Sequence, residues 1–189
     1  MNQRMKGPLI GRGRTAEIYA WGDSQVLKLF RQDWPDDWVE YEVKIARIAQ
    51  QAGLSAPAVG EELDIGGQRG VIYERVDGPS MLHSVAIKPW TLFKTARQFA
   101  DLHASIHLLT VNDLPLQRES LKRAINRAPH LTDSMKSGIL QRLELLPDGN
   151  ALCHGDFHPD NILMSEHGPV VIDWMTATQG NPIAHQSEP

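Results

Sequence analysis

Polar residues that could handle a phosphate group are concentrated in the segment CHGDFHPDNIL, from Cys153 to Leu163. Asp156 and Asn161 lie on this segment, and Asp173 follows the apolar run VVI further along the chain. An aspartate can accept a hydrogen bond or a proton from a substrate hydroxyl. Asparagine and aspartate oxygens suit Mg²⁺, and the neutral amide adds no repulsion between carboxylates. These residue types can thus supply two of the four parts that phosphoryl transfer from a nucleotide needs, namely a group that orients the attacking hydroxyl and ligands for the metal ion.

The same segment also offers an alternative metal site. The side chains that could bind zinc are those of Cys153, His154, His158 and His167. Their spacing lacks the paired C-x-x-C or H-x-x-x-H pattern of structural zinc sites. A zinc site would also leave Asp156 and Asn161 unexplained, so we favour Mg²⁺.

The amino-terminal half contains a glycine pattern that could cover a nucleotide. Residues 11–16, GRGRTA, read G-x-G-x-x-A, and the missing Cβ atoms of Gly11 and Gly13 would let backbone N–H groups approach phosphates. In a dinucleotide-binding turn a helix would follow the glycines. Here the alternating run EIYAW follows, and then a GDS turn and another strand. The pattern therefore favours a β-hairpin flap of the kind found in kinases.

Two of these motifs closely match a known family. The segment HGDFHPDN, with Asp156 and Asn161, and the segment IDW, with Asp173, resemble the signatures of the aminoglycoside phosphotransferase and choline kinase family. The resemblance implies an α+β, protein-kinase-like fold with a small nucleotide-binding lobe hinged to a larger helical lobe. It implies transfer of phosphate from ATP or GTP, with Mg²⁺, to a hydroxyl of a small molecule. Asp156 would be the catalytic base or orienting carboxylate, and Asn161 and Asp173 would bind the metal ions.

The resemblance also implies roles for residues of the amino-terminal half. Lys28, in the strand-like run VLKLF, would bind the nucleotide phosphates, and Glu42 on the following helix would be its ion-pair partner. Glu40 is the alternative partner. Backbone groups of Glu74 and Val76 would hold the adenine edge where the lobes connect. The expected cofactor-binding residues are Gly11, Gly13, Lys28, Glu42, Glu74 and Val76.

The hydrophobic pattern predicts the elements that position these residues. Residues 8–30 read as three short strands, and a helix is expected between Pro35 and Gly53. Two more strands are expected around PAVGEELDI and RGVIYERV, separated by Gly66 and Gly67, and a linker is expected at VDGPS. Beyond the linker, helices are predicted over KPWTLFKTARQFADLHASIHLL, QRESLKRAINRA and TDSMKSGILQRLELL. We predict that residues 1–76 form the nucleotide-binding lobe and residues 77–189 the helical catalytic lobe.

Composition limits the partners. A net charge of −4, a pI near 6.0 and the lack of a block of basic residues make nucleic-acid binding unexpected. No apolar run approaches the length of a membrane span, and the start of the chain lacks the apolar core of a signal peptide. A single cysteine, Cys153, agrees with a reducing compartment. We expect a cytoplasmic protein in which Cys153 is a small, buried strand residue.

The sequence stops soon after IDW, where the family has several more helices that complete the large lobe. We therefore expect an incomplete carboxy-terminal lobe, whose apolar surface a homodimer or a partner chain would cover. Two functions are compatible with these features: an active small-molecule kinase, and a catalytically silent, nucleotide-binding remnant that acts as a binding module. A protein kinase is disfavoured because Trp174, rather than Phe-Gly, follows Asp173.

Overall fold

The computed structural model describes residues 6–182, which group into two compact units. The first unit contains the residues up to Thr95 together with His158–Met175. The second contains Ala96–Phe157 and the residues from Thr176 onward. Every predicted site residue except Asp156 belongs to the first unit. The expected lobe boundary after Val76 stays a prediction.

The first unit is built on a five-stranded antiparallel sheet. Its strands are β1 (Leu9–Arg12), β2 (Ala16–Trp21), β3 (Gln25–Phe30), β4 (Val59–Ile65) and β5 (Gln68–Glu74). The spatial order is β1-β2-β3-β5-β4, so β3 lies at the centre of the sheet. The predicted strands are confirmed, and Lys28 lies on a central strand rather than at an exposed edge.

Helix α1 (Asp36–Gln51) packs on one face of this sheet. Pro35 precedes its first turn, where the missing N–H of proline leaves no helical hydrogen bond unmade. Val39 and Val43, one turn apart on the helix, pack in one core cluster with Phe30 of β3. The predicted helix is thus confirmed, and its apolar stripe faces the sheet.

Alternate residues of β3 serve opposite faces of the sheet. Leu27 and Leu29 belong to a second core cluster, with Trp21 and Ile72, on the face away from α1. Lys28 lies between these two leucines in sequence and therefore faces α1. Because side chains alternate between the two faces along β3, the charged side chain of Lys28 lies on the face that α1 covers.

A short helix and a β-hairpin complete the first unit. They are α2 (Met81–Ile87), β7 (Ile162–Ser165) and β8 (Gly168–Val171). Ser80 caps α2 by accepting a hydrogen bond from the His83 N–H at 3.2 Å, and a β-bridge joins Ser80 to Leu163. The sequence analysis does not predict α2, because seven residues contain too few turns to show helical periodicity.

The second unit contains most of α3 (Leu92–His107), together with α4 (Gln117–Arg127), α5 (Asp133–Leu145) and the paired strands β6 (Ala151–Cys153) and β9 (Thr178–Gly180). Thr132 caps α5 by accepting a hydrogen bond from the Met135 N–H at 3.3 Å, as predicted. Helix α3 begins at Leu92, later than predicted, because a 3₁₀ turn at Pro89–Thr91 follows the pre-proline residue Lys88.

The start of α3 leaves apolar surface exposed. Ile106 of this helix is buried, but the apolar residues Leu92 and Phe93 are 51% and 88% exposed. Trp90, just before the helix, is 78% exposed. None of the helices within residues 6–182 has the length and apolar character that crossing a bilayer requires.

Cys153, the single cysteine of the chain, lies fully buried in β6, as predicted. Burial raises the pKa of its thiol to about 11, so nearly all of it is the neutral, unreactive form at pH 8. We expect a thiol reagent at pH 8 to leave the native chain unmodified while a sample unfolded in guanidinium reacts fully. Intact-mass spectrometry checks this, and rapid labelling of the native chain would contradict it.

Candidate active site

Lys28 is at the centre of an ion-pair network in the first unit. Its Nζ lies 2.6 Å from Glu42 Oε1 and 3.3 Å from Asp173 Oδ1. The Lys28 and Glu42 side chains are 13% and 4% exposed, and that of Asp173 is 43% exposed. The central strand, α1 and the segment after β8 each contribute one member. Of the three side chains, Asp173 is therefore the most accessible to a ligand.

The network keeps Lys28 charged. Burial lowers the pKa of the amine, but the carboxylates of Glu42 and Asp173 outweigh burial and raise the pKa of Lys28 above its ordinary value. The protonated amine has three N–H donors. Among the described residues it donates to two carboxylate oxygens. One donor is thus left for an anionic ligand.

The two glutamates proposed as partners of Lys28 lie in different surroundings. Glu42 is buried on the sheet-facing side of α1, beside Val39 and Val43 in the helical pattern. Glu40 is exposed, and its Oε1 lies 3.9 Å from Arg69 Nη1. Glu42 is therefore the glutamate in contact with Lys28.

Tyr73 belongs to the same network, and the sequence analysis does not give it this position. Its Oη donates to Glu42 Oε1 at 3.2 Å. Burial and the Glu42 carboxylate raise the pKa of Tyr73 well above its usual value, so the hydroxyl stays protonated. In the sequence, Tyr73 is noticeable as a polar aromatic residue in the apolar run GVIYE. The run does not show how β5 pairs with its neighbours, so the position of the Tyr73 hydroxyl could not be predicted.

Asp173 lies just beyond β8, immediately before a 3₁₀ helix at Trp174–Thr176. Its φ of 63° makes it the one non-glycine residue of the described chain with a positive φ. Aspartate tolerates this left-handed conformation better than most residues do. The next residue, Trp174, is buried and donates from Nε1 to Val171 O at 3.1 Å. The strand ends at Val171, one residue before the end of the apolar run VVI, and the positive φ of Asp173 follows two residues later.

Asn161 lies at the same end of the β7-β8 hairpin as Asp173. The N–H of Ile172 donates to Asn161 O at 2.9 Å, so the residue preceding Asp173 is bonded directly to Asn161. Asn161 is 9% exposed. Antiparallel pairing thus brings the backbone of Asn161 next to the residue that precedes Asp173, although Asn161 and Asp173 are twelve positions apart in sequence.

Side-chain hydrogen bonds shape the turn before Asn161. His158 Nδ1 accepts a hydrogen bond from the Asp160 N–H at 3.3 Å, and Asp160 Oδ1 accepts one from Ser80 Oγ at 2.8 Å. His158 is thus a hydrogen-bonded loop residue. Ser80 and Asp160 form a link that the sequence analysis misses, because they are 80 positions apart.

The glycine pattern forms a hairpin, as predicted. The Gly13 N–H donates to Ala16 O at 2.8 Å, which leaves Arg14 and Thr15 at the tip. A Cβ built on Gly11 would make only ordinary contacts with Ile18, the nearest atom being 3.6 Å away. Packing within the hairpin therefore does not require glycine at position 11.

The predicted base-binding segment follows β5. The Glu74 N–H donates to Ala58 O at 2.8 Å, and the Glu74 side chain accepts a hydrogen bond from the Ala58 N–H at 3.1 Å. Within the described chain, no hydrogen bond to the backbone of Val76 is found. The backbone of Val76 is thus open to a ligand, while the Glu74 N–H is already engaged.

Asp156 lies exposed on the loop after β6, in the second unit. Its N–H donates to Nδ1 of His154 at 3.3 Å, and Thr176 Oγ1 donates to His154 O at 3.1 Å. His154 is fully buried, so these hydrogen bonds hold the loop from within the unit. Phe157 stacks on His103 of α3 with ring centroids 4.5 Å apart. His154 and Phe157, which flank Asp156 in the motif, are therefore anchored, and Asp156 itself is an exposed residue.

No three His, Cys, Asp or Glu side chains within residues 6–182 are grouped to hold a metal ion. The oxygen donors of Asn161 and Asp173 stay a metal-site hypothesis.

Comparison with known proteins decides the family. A model of the phosphotransferase enzyme family, APH, matches residues 7–184. The chain belongs to this family. The motif-based resemblance is thereby confirmed, although no curated protein sequence matches the chain.

Solved structures with the same fold include nucleotide complexes. The ternary complex of streptomycin, ATP and APH(2'')-IIa matches with a TM-score of 0.66 and 17% identity, over 97% of this chain and 70% of that chain. The GDP complex of wild-type aminoglycoside 2'-phosphotransferase-IIIa gives 0.65 and 16%, over 94% and 69%. A choline/ethanolamine kinase family protein from Mesorhizobium loti gives 0.63 and 17%, over 94% and 61%. The predicted protein-kinase-like fold is confirmed, and identities this low carry the fold alone.

Gly155 is required by the loop that carries Asp156. Its φ is 84°, and an added Cβ would lie 2.3 Å from Thr176 O. We expect Gly155→Ala to lower the free energy of unfolding by roughly 2–4 kcal/mol, measured by urea denaturation. As a control, Gly138→Ala should raise it by about 0.5–1 kcal/mol, because a Cβ at this position of α5 meets nothing within 4 Å. Equal stability of wild type and Gly155→Ala would refute this reading of the loop.

Proposed function

We propose that this chain is an ATP- and Mg²⁺-dependent phosphotransferase that moves the γ-phosphate to a hydroxyl group of a small molecule. The observation that carries the proposal is Lys28, a buried and protonated amine held between Glu42 and Asp173. A lysine paired with a helix glutamate, beside a metal-binding aspartate, is the arrangement with which kinases hold phosphates. Membership of the phosphotransferase family supports the same reaction.

The charges of the network favour a nucleotide that arrives with a cation. Lys28 contributes one positive charge, and Glu42 and Asp173 contribute one negative charge each. A triphosphate is repelled by the net negative charge unless a divalent cation offsets it. Asn161 and Asp173 supply two oxygen ligands, which suits Mg²⁺ because this ion keeps several waters and takes further ligands from phosphates. Mg²⁺ bound there would neutralise negative charge on the phosphates.

Asp156 is proposed to orient the acceptor hydroxyl and to take its proton. Phosphoryl transfer depends mainly on alignment of the attacking oxygen, so a carboxylate on a well-anchored loop suits this task. The anchors on either side of Asp156, His154 and Phe157, support the proposal. They restrict the loop, and Asp156 itself is an exposed residue.

The remaining predicted residues are proposed to hold the nucleotide. Gly11 and Gly13 let the hairpin approach the phosphates, since packing does not explain the glycine at position 11. The backbones of Glu74 and Val76 hold the base, and the nucleotide-binding lobe ends at Val76. Complexes with ATP and with GDP among the structural neighbours make GTP the second nucleotide to test.

The acceptor is proposed to be a small-molecule alcohol. One structural neighbour was solved with streptomycin, and another belongs to the choline/ethanolamine kinase family. A first panel of acceptors should therefore contain aminoglycosides, choline and ethanolamine. Transfer to none of them, with nucleotide binding intact, would favour a nucleotide-binding module without catalysis.

Nucleotide binding is tested by thermal denaturation. Ligand at about 100 times its Kd should stabilise the chain by about 2.7 kcal/mol, so ATP with Mg²⁺ should raise the Tm, and ATP with EDTA should raise it much less. The shift should be lost in Asp173→Asn, which removes the charge while asparagine still tolerates the positive φ. Asp33→Asn, the same change at an exposed position, should keep the full shift. If neither ATP nor GTP changes the Tm of the wild-type chain, the proposal is refuted.

The role of Asp156 is tested by separating binding from transfer. Asp156→Asn should lower the rate of phosphate transfer by about 10²–10⁴-fold, because the hydroxyl loses its proton acceptor. Its Kd for ATP and Mg²⁺, measured by calorimetry, should change less than threefold. Release of ADP gives the rate, and Asp33→Asn again serves as the control. Undiminished transfer by Asp156→Asn would exclude Asp156 as the base.

A further inference from the structure

Tyr73 is placed on the sheet so that its hydroxyl meets the partner of Lys28. In the register of β3 and β5, Lys28 lies opposite Val71 and Val26 lies opposite Tyr73. Residues directly opposite each other, and residues two apart on one strand, share a face of the sheet. Lys28 and Tyr73 therefore both face α1, and both donate to the same oxygen, Glu42 Oε1, at 2.6 and 3.2 Å.

Glu42 depends on these two donors. Its side chain is 4% exposed, and within the described residues its second oxygen, Oε2, is buried without a hydrogen-bond partner. A buried carboxylate needs donors to offset the water it has lost. Both donors act on one oxygen, so together they determine which way the carboxylate points.

A bound nucleotide would affect the hydrogen bonds of the two donors differently. Lys28 must turn part of its donor capacity toward a phosphate, whereas Tyr73 keeps its full bond to Glu42. The high pKa of Tyr73 keeps the hydroxyl a donor at every working pH. Its ring packs against the core cluster of Val39, Val43 and Phe30, which holds the hydroxyl in place.

We infer that Tyr73 is a positioning residue that holds Glu42 in line with Lys28 and so sets the affinity of the site for nucleotide phosphates. The inference rests on the proposed nucleotide site and extends it to a third side chain. Tyr73 acts through Glu42 and does not itself touch the nucleotide phosphates.

The test is a double-mutant cycle on the Kd for ATP and Mg²⁺, measured by calorimetry with the full chain. Tyr73→Phe keeps the ring and removes the donor, and it should raise the Kd about fivefold. In a Glu42→Ala background the same change should leave the Kd unaltered, because the group through which Tyr73 acts is gone. Tyr73→Met, a second variant without a hydroxyl, should reproduce the fivefold loss and guards against a folding defect of the first.

Tyr19→Phe is the matched control, because Tyr19 donates to Glu17 and its loss removes a tyrosine–glutamate hydrogen bond elsewhere in the same sheet. It should leave the Kd unchanged. If the wild type binds ATP and Tyr73→Phe binds it equally well, or loses affinity equally in both backgrounds, only the role of Tyr73 is overturned. If the wild type binds neither ATP nor GTP, the proposed function and this inference are both overturned.

Discussion

An ammonium group buried between a sheet and a helix is costly unless a negative charge lies beside it. Glu42 meets this requirement for Lys28, and because both side chains are largely buried, each charge depends on the other. Removing one partner of such a pair typically costs about 3–5 kcal/mol. The position of α1 on the sheet and the protonated state of Lys28 are therefore linked. Asp173 adds an ion pair to Lys28, and Tyr73 adds a hydrogen bond to Glu42.

The same type of local hydrogen bond occurs twice in the motif that contains Asp156 and Asn161. His154 and His158 each accept, at Nδ1, a hydrogen bond from the backbone N–H two residues further on. Such bonds shape a loop from within and engage the imidazole ring. The histidines, which stand out most in the sequence, thus position the backbone. Asp156 and Asn161, in the same motif, are the residues proposed to take part in the reaction.

Local pattern was enough to predict much of the fold. The alternation in residues 8–30 and the periodicity of α1 identify these elements because each has several repeats of its own signal. The helix α2 and the strand β9 are missed because seven-residue and three-residue elements contain too few repeats. The exposure of Phe93 could not be read from α3 either, since an apolar stripe shows what a helix can bury and not what covers it.

Some features of the candidate site also follow from local sequence, and others depend on the tertiary structure. The sequence by itself determined the family, the polar residues of its motifs and the order of the elements that carry them, because these depend on residue type and short spacing. The tertiary structure alone decided that Glu42 rather than Glu40 contacts Lys28, that Tyr73 shares this carboxylate and that Ser80 holds Asp160. These contacts join residues from 14 to 80 positions apart. They depend on strand register and helix packing, which are set by the burial of whole faces and by no local pattern.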